Sequence, residues 1–282
     1  MRLTSVSGIA ITILLSAHVL STQATAADMP LKAPVKTPVG APAFNWSGFY
    51  IGGYAGGAWS GRITASDMFS QGPDDPIGSD WSAFGNSYYN FKASFIGGAT
   101  AGINWQAAGS PLVLGLEGEL GFIALKGNGS LPLDWGYDLR FNTKVGDWYG
   151  IVAGRLGFAF DQALIYAKGG AAFIQVKAST TDTCTTGLNE GGFACDDSSI
   201  NATGSKNVVT WTVGGGLEYA FTNTWSVKAE YLFIDLPDSV RVCGVGGDGG
   251  FSDGSTWCGT HSLPSGIHTA KFGLNYRFGN RP

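Results

Sequence analysis

From Trp46 onward, apolar side chains recur at every second position in one segment after another. That period is the mark of a β-strand with one apolar face. Eight such segments are legible. The first sets Phe49, Ile51, Ala55 and Trp59 against Tyr50, Gly52, Tyr54 and Gly56. The second sets Phe95, Ala99, Ala101, Ile103 and Trp105 against Gly98, Thr100, Gly102 and Asn104. The third sets Leu112, Leu114, Leu116, Leu120 and Phe122 against Gly115, Glu117, Glu119 and Gly121. The fourth sets Trp148, Val152, Leu156, Phe158 and Phe160 against Tyr149, Arg155 and Gly157, and the fifth sets Ile165, Ala167, Ala171 and Phe173 against Tyr166, Lys168 and Gly170. The sixth sets Val209, Trp211, Val213, Leu217, Tyr219 and Phe221 against Thr210, Thr212, Gly214 and Glu218. The seventh sets Trp225, Val227, Ala229, Tyr231 and Phe233 against Ser226, Lys228 and Glu230, and the eighth sets Ala270, Phe272, Leu274, Tyr276 and Phe278 against Thr269, Lys271, Asn275 and Arg277.

The connections between these segments alternate in length. Residues 61–93, 124–143, 178–206 and 236–267 are long, whereas Ala107 to Ser110, Asp161-Gln162 and Thr222-Asn223 are short. Transmembrane barrels have short periplasmic turns and long outer loops, while a Greek-key sandwich has no reason to sort loop length by end. The expected fold is therefore all-β: an eight-stranded antiparallel up-and-down transmembrane β-barrel with four long outer loops and short periplasmic turns. An even strand number places both termini at the short-turn end.

Charge sharpens the picture. The strand interiors carry Glu117, Glu119, Arg155, Lys168, Glu218, Lys228, Glu230, Lys271 and Arg277, each on the non-apolar face. An eight-stranded barrel is just wide enough for inward side chains to fill it, so these nine are expected to form a salt-bridge network that plugs the lumen. A narrow conductive path lined by the same residues is the alternative. The ends of the apolar faces carry aromatics, with Trp59, Trp148 and Trp211 at one end and Trp105, Phe160, Phe221, Trp225 and Phe278 at the other. Two aromatic belts flanking an apolar band are what the two membrane interfaces require.

Composition agrees. Among 282 residues, 44 are glycine and only 13% are charged, with 9 Trp, 17 Phe and 10 Tyr at a net charge of −4. Aromatics at this level exclude a disordered chain, and glycine at this level excludes a long helical bundle. The acidic balance excludes a nucleic-acid binder, which needs a basic stripe. Counted over 61–93, 124–144, 178–206 and 236–267, the long connections hold seven Lys/Arg against thirteen Asp/Glu, net −6, a solvated acidic surface.

The first 27 residues read as a signal peptide: Arg2, an apolar run from Gly8 to Leu20, then Ala24, Ala26 and Ala27, with cleavage after Ala26 or Ala27. Residues 28–45 carry Pro30, Pro34, Pro38 and Pro42, an extended periplasmic leader, and 46–282 form the barrel. Export permits disulfides among Cys184, Cys195, Cys243 and Cys258. Of the three pairings, Cys184–Cys195 with Cys243–Cys258 closes the shortest loops and is favoured on entropy. A zinc site has no C-x-x-C or His pair to support it.

Several strand motifs resemble a known family. Trp46-Ser47-Gly48-Phe49-Tyr50-Ile51-Gly52-Gly53, Phe95-Ile96-Gly97-Gly98, and Gly154-Arg155-Leu156-Gly157-Phe158-Ala159-Phe160-Asp161 are three of them. Thr212-Val213-Gly214-Gly215-Gly216-Leu217-Glu218-Tyr219-Ala220, Glu230-Tyr231-Leu232-Phe233-Ile234-Asp235 and Gly273-Leu274-Asn275-Tyr276-Arg277-Phe278 complete the set. In this order they are similar to the small porin-family or outer-membrane immunogenic proteins of Gram-negative bacteria, whose barrel resembles that of OmpA. The resemblance implies residence in the outer membrane, contact with lipid and lipopolysaccharide, and delivery to the barrel-assembly machinery through the strand ending at Phe278. Two departures stand out: Gly279 to Pro282 follow that phenylalanine, and no peptidoglycan-binding domain is expected.

The functional expectation is a structural, envelope-integrity and surface-interaction protein, with a narrow porin or a loop-mediated adhesin as alternatives. No cofactor is expected. Enzymatic activity is not expected either: His261-Ser262 could pair with Asp235 or Asp238, but no G-x-S-x-G elbow or metal set accompanies them.

Overall fold

The structure, a computed structural model, describes residues 44–71, 86–132, 137–184, 201–245 and 256–278. Twelve β-strands and no helix occur among the described residues. In chain order they are β1 (Gly48–Ser60), β2 (Arg62–Gln71), β3 (Ser87–Lys92), β4 (Ser94–Gln106), β5 (Leu112–Pro132) and β6 (Tyr137–Phe160). Then follow β7 (Ala163–Cys184), β8 (Asn201–Ala220), β9 (Trp225–Asp235), β10 (Ser239–Val245), β11 (Thr256–Ser262) and β12 (Gly266–Phe278). All belong to one antiparallel sheet.

The pairing closes on itself. From β1 it runs to β4, β5, β6, β7, β8, β9 and β12, and β12 pairs back to β1 from Phe49↔Phe278 to Ser60↔Ile267. A second cycle lies farther out, where β2, β3, β10 and β11 take the places of β1, β4, β9 and β12 between β5 and β8. The four outer strands are corrections to the sequence reading, which placed their residues in loops. β1 and β2 are parted by Gly61 alone, and β3 and β4 by Ala93 alone. Pro237 and Pro264 stand between β9 and β10 and between β11 and β12, where a residue without an N–H interrupts the ladder. Across that gap Leu236 N donates to Ser265 O at 3.2 Å and Leu263 N to Asp238 O at 2.8 Å.

The short turns fall where the sequence placed them, at Ala107–Ser110, Asp161-Gln162 and Thr222-Asn223, all at one end with the chain's entry at Phe44–Ser47. At the other end, β5 to β8 run well past the predicted strand limits. The reason is an inversion of the alternating pattern. Nearer the turns, the apolar residues face outward: Leu114, Leu116 and Leu120 on β5 are exposed, and Glu117 and Glu119 between them are buried. Farther out on the same strand, Ile123 and Leu125 are fully buried and Lys126 and Asn128 are exposed. β7 repeats the change, with Ile165 and Phe173 outward but Ile174 and Val176 inward. On β6 the two phases meet at a bulge between Val145 and Tyr149, where Gly146 takes φ +98°. Both regions alternate with period two, but the outer one fills its interior with hydrocarbon and turns polar groups to water.

Candidate functional site

The lumen concentrates buried charge, and it is layered along its axis. The central layer is ionic. Glu117 and Glu119 on β5, Arg155 on β6, Lys168 on β7, Glu218 on β8, Lys228 and Glu230 on β9 and Lys271 on β12 are all buried. Arg155 contacts Glu117 at 3.2 Å and Glu218 at 2.8 Å. The Lys168 ammonium sits among three carboxylates, paired with Glu117 and Glu119 and 3.4 Å from Glu230. Lys228 reaches Glu117 at 3.3 Å, and Lys271 bridges Glu119 at 2.7 Å and Glu230 at 2.8 Å. Four acids meet four bases, so the layer is formally neutral.

Neutral donors complete it. Tyr50 donates to Glu117 at 2.5 Å, Tyr166 to Glu230 at 2.9 Å, Ser226 to Glu218 at 2.6 Å and Asn275 to Glu218 at 2.9 Å. Arg155 donates to the Tyr50 hydroxyl at 2.6 Å and lies 3.9 Å over the Tyr166 ring. These tyrosines sit on the polar face of their strands, but nothing in the alternation alone gave them a role in the network. A lumen this full needs glycine on the facing strands: a Cβ on Gly102 would meet the Tyr50 hydroxyl, and one on Gly98 or Gly121 the Tyr54 hydroxyl. Glu117, Glu119 and Glu230 also converge closely enough for a metal ion, but Lys168 already supplies the cation.

Arg277 does not join this layer, contrary to the sequence expectation. Its side chain is buried, yet among the described residues its guanidinium nitrogens have no hydrogen-bond partner. It lies instead 4.4 Å over the Phe44 ring and 4.5 Å over Trp46. The cause is the chain segment before β1, which the sequence reading left as leader and strand start. Trp46 is wholly buried with Val113, Leu164, Tyr166 and Ala220 at the turn end of the lumen. Its indole N–H donates to Asp161 O at 3.0 Å, and its backbone N–H to Gln106 Oε1 at 2.8 Å. The two rings occupy the space around Arg277. No periodic signal marks a residue that enters from outside the strand pattern.

The outermost layer is apolar, built from Ile63, Phe91, Ile123, Leu125, Leu139, Val145, Val176 and Val242 among others. His261 of β11 is embedded in it, 1% exposed. Its Nδ1 lies 2.9 Å from both the Tyr89 and Thr143 hydroxyls, and its Nε2 2.9 Å from the Thr180 hydroxyl. Burial lowers its pKa to about 4. The same environment pushes the Tyr89 phenol up to about 12. The carboxylate pairing considered for His261 is not formed: Asp235 accepts from Thr210 Oγ1 at 2.7 Å instead.

The aromatic residues assigned to belts all face outward. Trp59, Trp105, Trp148, Phe160, Trp211, Phe221, Trp225 and Phe278 are exposed. Several contact other rings across strands: Trp59 stacks on His268, Trp148 meets Phe122 edge-on, Trp211 meets Phe233, Trp225 meets Tyr276 and Phe278 meets Phe49. Trp148 and Phe160 stand at the two ends of the apolar part of β6, about 30 Å apart along the barrel normal at the usual rise and tilt. Cys243 and Cys258, register partners on β10 and β11, form the expected disulfide. The companion pair involves Cys195 and the Cys184 side chain, which lie outside the described residues, as do the signal and leader segments up to residue 43.

A family model described as an outer membrane protein beta-barrel domain matches residues 12–278. The 31 kDa outer-membrane immunogenic protein of Brucella melitensis is 33% identical over 267 residues, covering 93% of this chain and 96% of that protein. The 25 kDa outer-membrane immunogenic protein of Brucella abortus is 30% identical, covering 77% of each chain. Among solved structures, OprG of Pseudomonas aeruginosa matches 82% of this chain and 97% of its own at 9% identity and a TM-score of 0.45. Ail of Yersinia pestis matches 83% and 100% at 14% identity and a TM-score of 0.34.

Proposed function

Because the chain belongs to the outer-membrane protein β-barrel family, we propose that it forms an eight-stranded transmembrane barrel with a sealed lumen, serving as a structural wall element and outward surface of the envelope. It resides in the outer membrane of a Gram-negative bacterium. The eight-strand count is supported by the pairing cycle through β1, β4, β5, β6, β7, β8, β9 and β12. On this reading β2, β3, β10, β11 and the distal halves of β5 to β8 stand beyond the hydrocarbon core as a continuation of the wall. Residues 1–27 act as the export signal, 28–45 as a periplasmic leader, and β12 with its terminal Phe278 as the strand presented to the assembly machinery.

The observation that carries the sealed lumen is the neutral set of eight buried charges, paired along the wall and, through Lys228–Glu117 and Lys271–Glu119, across the bore. An ion passing through would have to break several of them in a low-dielectric space, where an unpaired charge costs several kcal/mol. Trp46 blocks the turn end and the apolar layer around His261 blocks the other. Refolded protein in planar bilayers is expected to show no stable openings. Reproducible steps in most insertions would overturn the sealed lumen and favour a narrow porin.

A further inference from the structure

Four lysines from four neighbouring strands stand in a row on the outside of the wall. Lys92 of β3 is the register partner of Lys126 on β5, Lys126 of Lys144 on β6, and Lys144 of Lys177 on β7. Their strand neighbours Phe91, Leu125, Val145 and Val176 are buried inward, so the lysines point outward. Strands lie about 4.8 Å apart, which makes an unbroken row about 15 Å long. Like charges set directly opposite across a sheet destabilise each other. Asp147 pairs with Lys144 and lies 3.9 Å from Lys177. Among the described residues, neither Lys92 nor Lys126 forms an ion pair, and Asp147 is shared by Lys126, Lys144 and Lys177, so the row keeps an excess of three positive charges. Lys126, Lys144 and Lys177 line a hollow of about 650 Å³ in the wall, together with Asn128, Asn142 and Ser179.

The height of the row decides what it faces. Phe122 and Trp148, register partners in edge-on contact, mark the aromatic belt on this side. Lys126 is four residues farther along β5, about 13 Å along the strand and about 10 Å along the membrane normal. That is the outer edge of the headgroup layer, about 5–8 Å thick, into which the long lysine side chains can reach back. A cation row there looks sideways into lipid headgroups. The long connections carry an excess of acids in the sequence, which disfavours a soluble polyanion as the ligand.

We propose that Lys92, Lys126, Lys144 and Lys177 bind the phosphate groups of lipopolysaccharide in the outer leaflet, holding its headgroup in the hollow beside the belt. Each ammonium offers three donors to phosphate oxygens, and the Asn and Ser side chains suit sugar hydroxyls. The inference rests on the barrel reading, with the long-strand end outward.

The test compares the wild type with a K126Q/K144Q/K177Q variant and its K126R/K144R/K177R counterpart. Each is refolded into phosphatidylcholine vesicles containing lipopolysaccharide, or the same lipopolysaccharide stripped of its lipid phosphates. After detergent extraction and purification, bound glycolipid per barrel is measured by mass spectrometry. The wild type and the Arg variant are expected to retain phosphorylated lipopolysaccharide. The Gln variant should retain at least about tenfold less, because basic residues near an anionic surface each add to its attraction. Excess inorganic phosphate should not displace the lipid. Equal retention by the Gln variant, equal retention of stripped lipopolysaccharide, or displacement by inorganic phosphate would each overturn the proposal. Heat-modifiable gel migration of every variant is read in parallel. Its loss in the wild type would sink the barrel reading, whereas its presence with equal retention sinks only the lysine row.

Discussion

Arg155 and Lys168 are register partners on β6 and β7, two buried cations placed directly opposite each other. Such a pair is repulsive unless the charges find partners elsewhere. They find them on nearby strands of the wall, Arg155 on Glu218 of β8 and both on Glu117 of β5. Glu117 is thus shared by Arg155, Lys168 and Lys228. Glu117→Gln strands part of that positive charge in the lumen and is expected to destabilise the barrel by about 3–5 kcal/mol. Adding Lys168→Met should recover part of the loss, because the double variant removes one charge of each sign. Urea titrations in lipid vesicles, read by gel mobility of the folded form, measure both. A double variant no more stable than the single one would contradict the shared role of Glu117.

Arg277 offers the opposite expectation. It carries the same charge as Lys168 and is equally buried, but it stacks on Phe44 and Trp46 without an acidic partner. Arg277→Met should leave stability unchanged or raise it, since it removes a desolvated cation while keeping an apolar stem on the rings. Trp46→Ala, by contrast, empties a fully buried site at the turn end and should cost about 3–5 kcal/mol in the same titration. Bilayer recordings of the Trp46 variant should stay silent, because the ionic layer beyond it is intact.

Gly146 tests the point at which the alternating pattern inverts. Its φ of +98° is strained for any residue with a Cβ, and a Cβ there would also run into the carbonyl of Ile123. Gly146→Ala should therefore destabilise by at least about 2 kcal/mol, combining backbone strain with the clash. Gly118→Ala is the matched control: it faces outward, and the nearest atom to its added carbon is 3.9 Å away. A similar cost at both positions in urea titration would argue against a specific role for the bulge.

Much of this was legible in the sequence because the bilayer imposes one rule on every strand it crosses. Leu114, Leu116 and Leu120 must face lipid, so Glu117 and Glu119 must face in, and the short turns follow from where that pattern stops. The same rule hid the outer strands. At Ile123 and Leu125 the apolar residues change face, and a search for one continuous phase reads the inversion as the end of the strand. The pairings inside the lumen were beyond a one-dimensional pattern. It gives the face of Arg277 but not its height relative to Glu218, nor that Trp46, outside any strand, would fill the space beside it. The lysine row was invisible for a related reason: Lys92, Lys126, Lys144 and Lys177 are aligned by register alone.

His261 makes the outer continuation of the wall sensitive to acid. The imidazole is buried among Tyr89, Phe141, Thr143 and Thr180, and among the described residues no charged group contacts it. Burial lowers its pKa from the usual 6.5 to about 4, so the folded state holds it neutral. Between these two values the unfolded segment binds a proton that the folded one does not, and stability therefore rises with pH across the window. The contribution is complete above about pH 6.5 and is lost as pH falls towards 4. At about 1.4 kcal/mol per pKa unit, the loss amounts to about 3 kcal/mol. Hydrogen exchange in β3 and β11 should accelerate over this interval, while exchange in the lipid-facing halves of β5 and β6 should not. His261→Gln keeps a polar group for the Thr180 and Thr143 hydroxyls but cannot titrate, and should flatten the profile. Acid-dependent exchange that persists in the Gln variant would assign the effect to other groups.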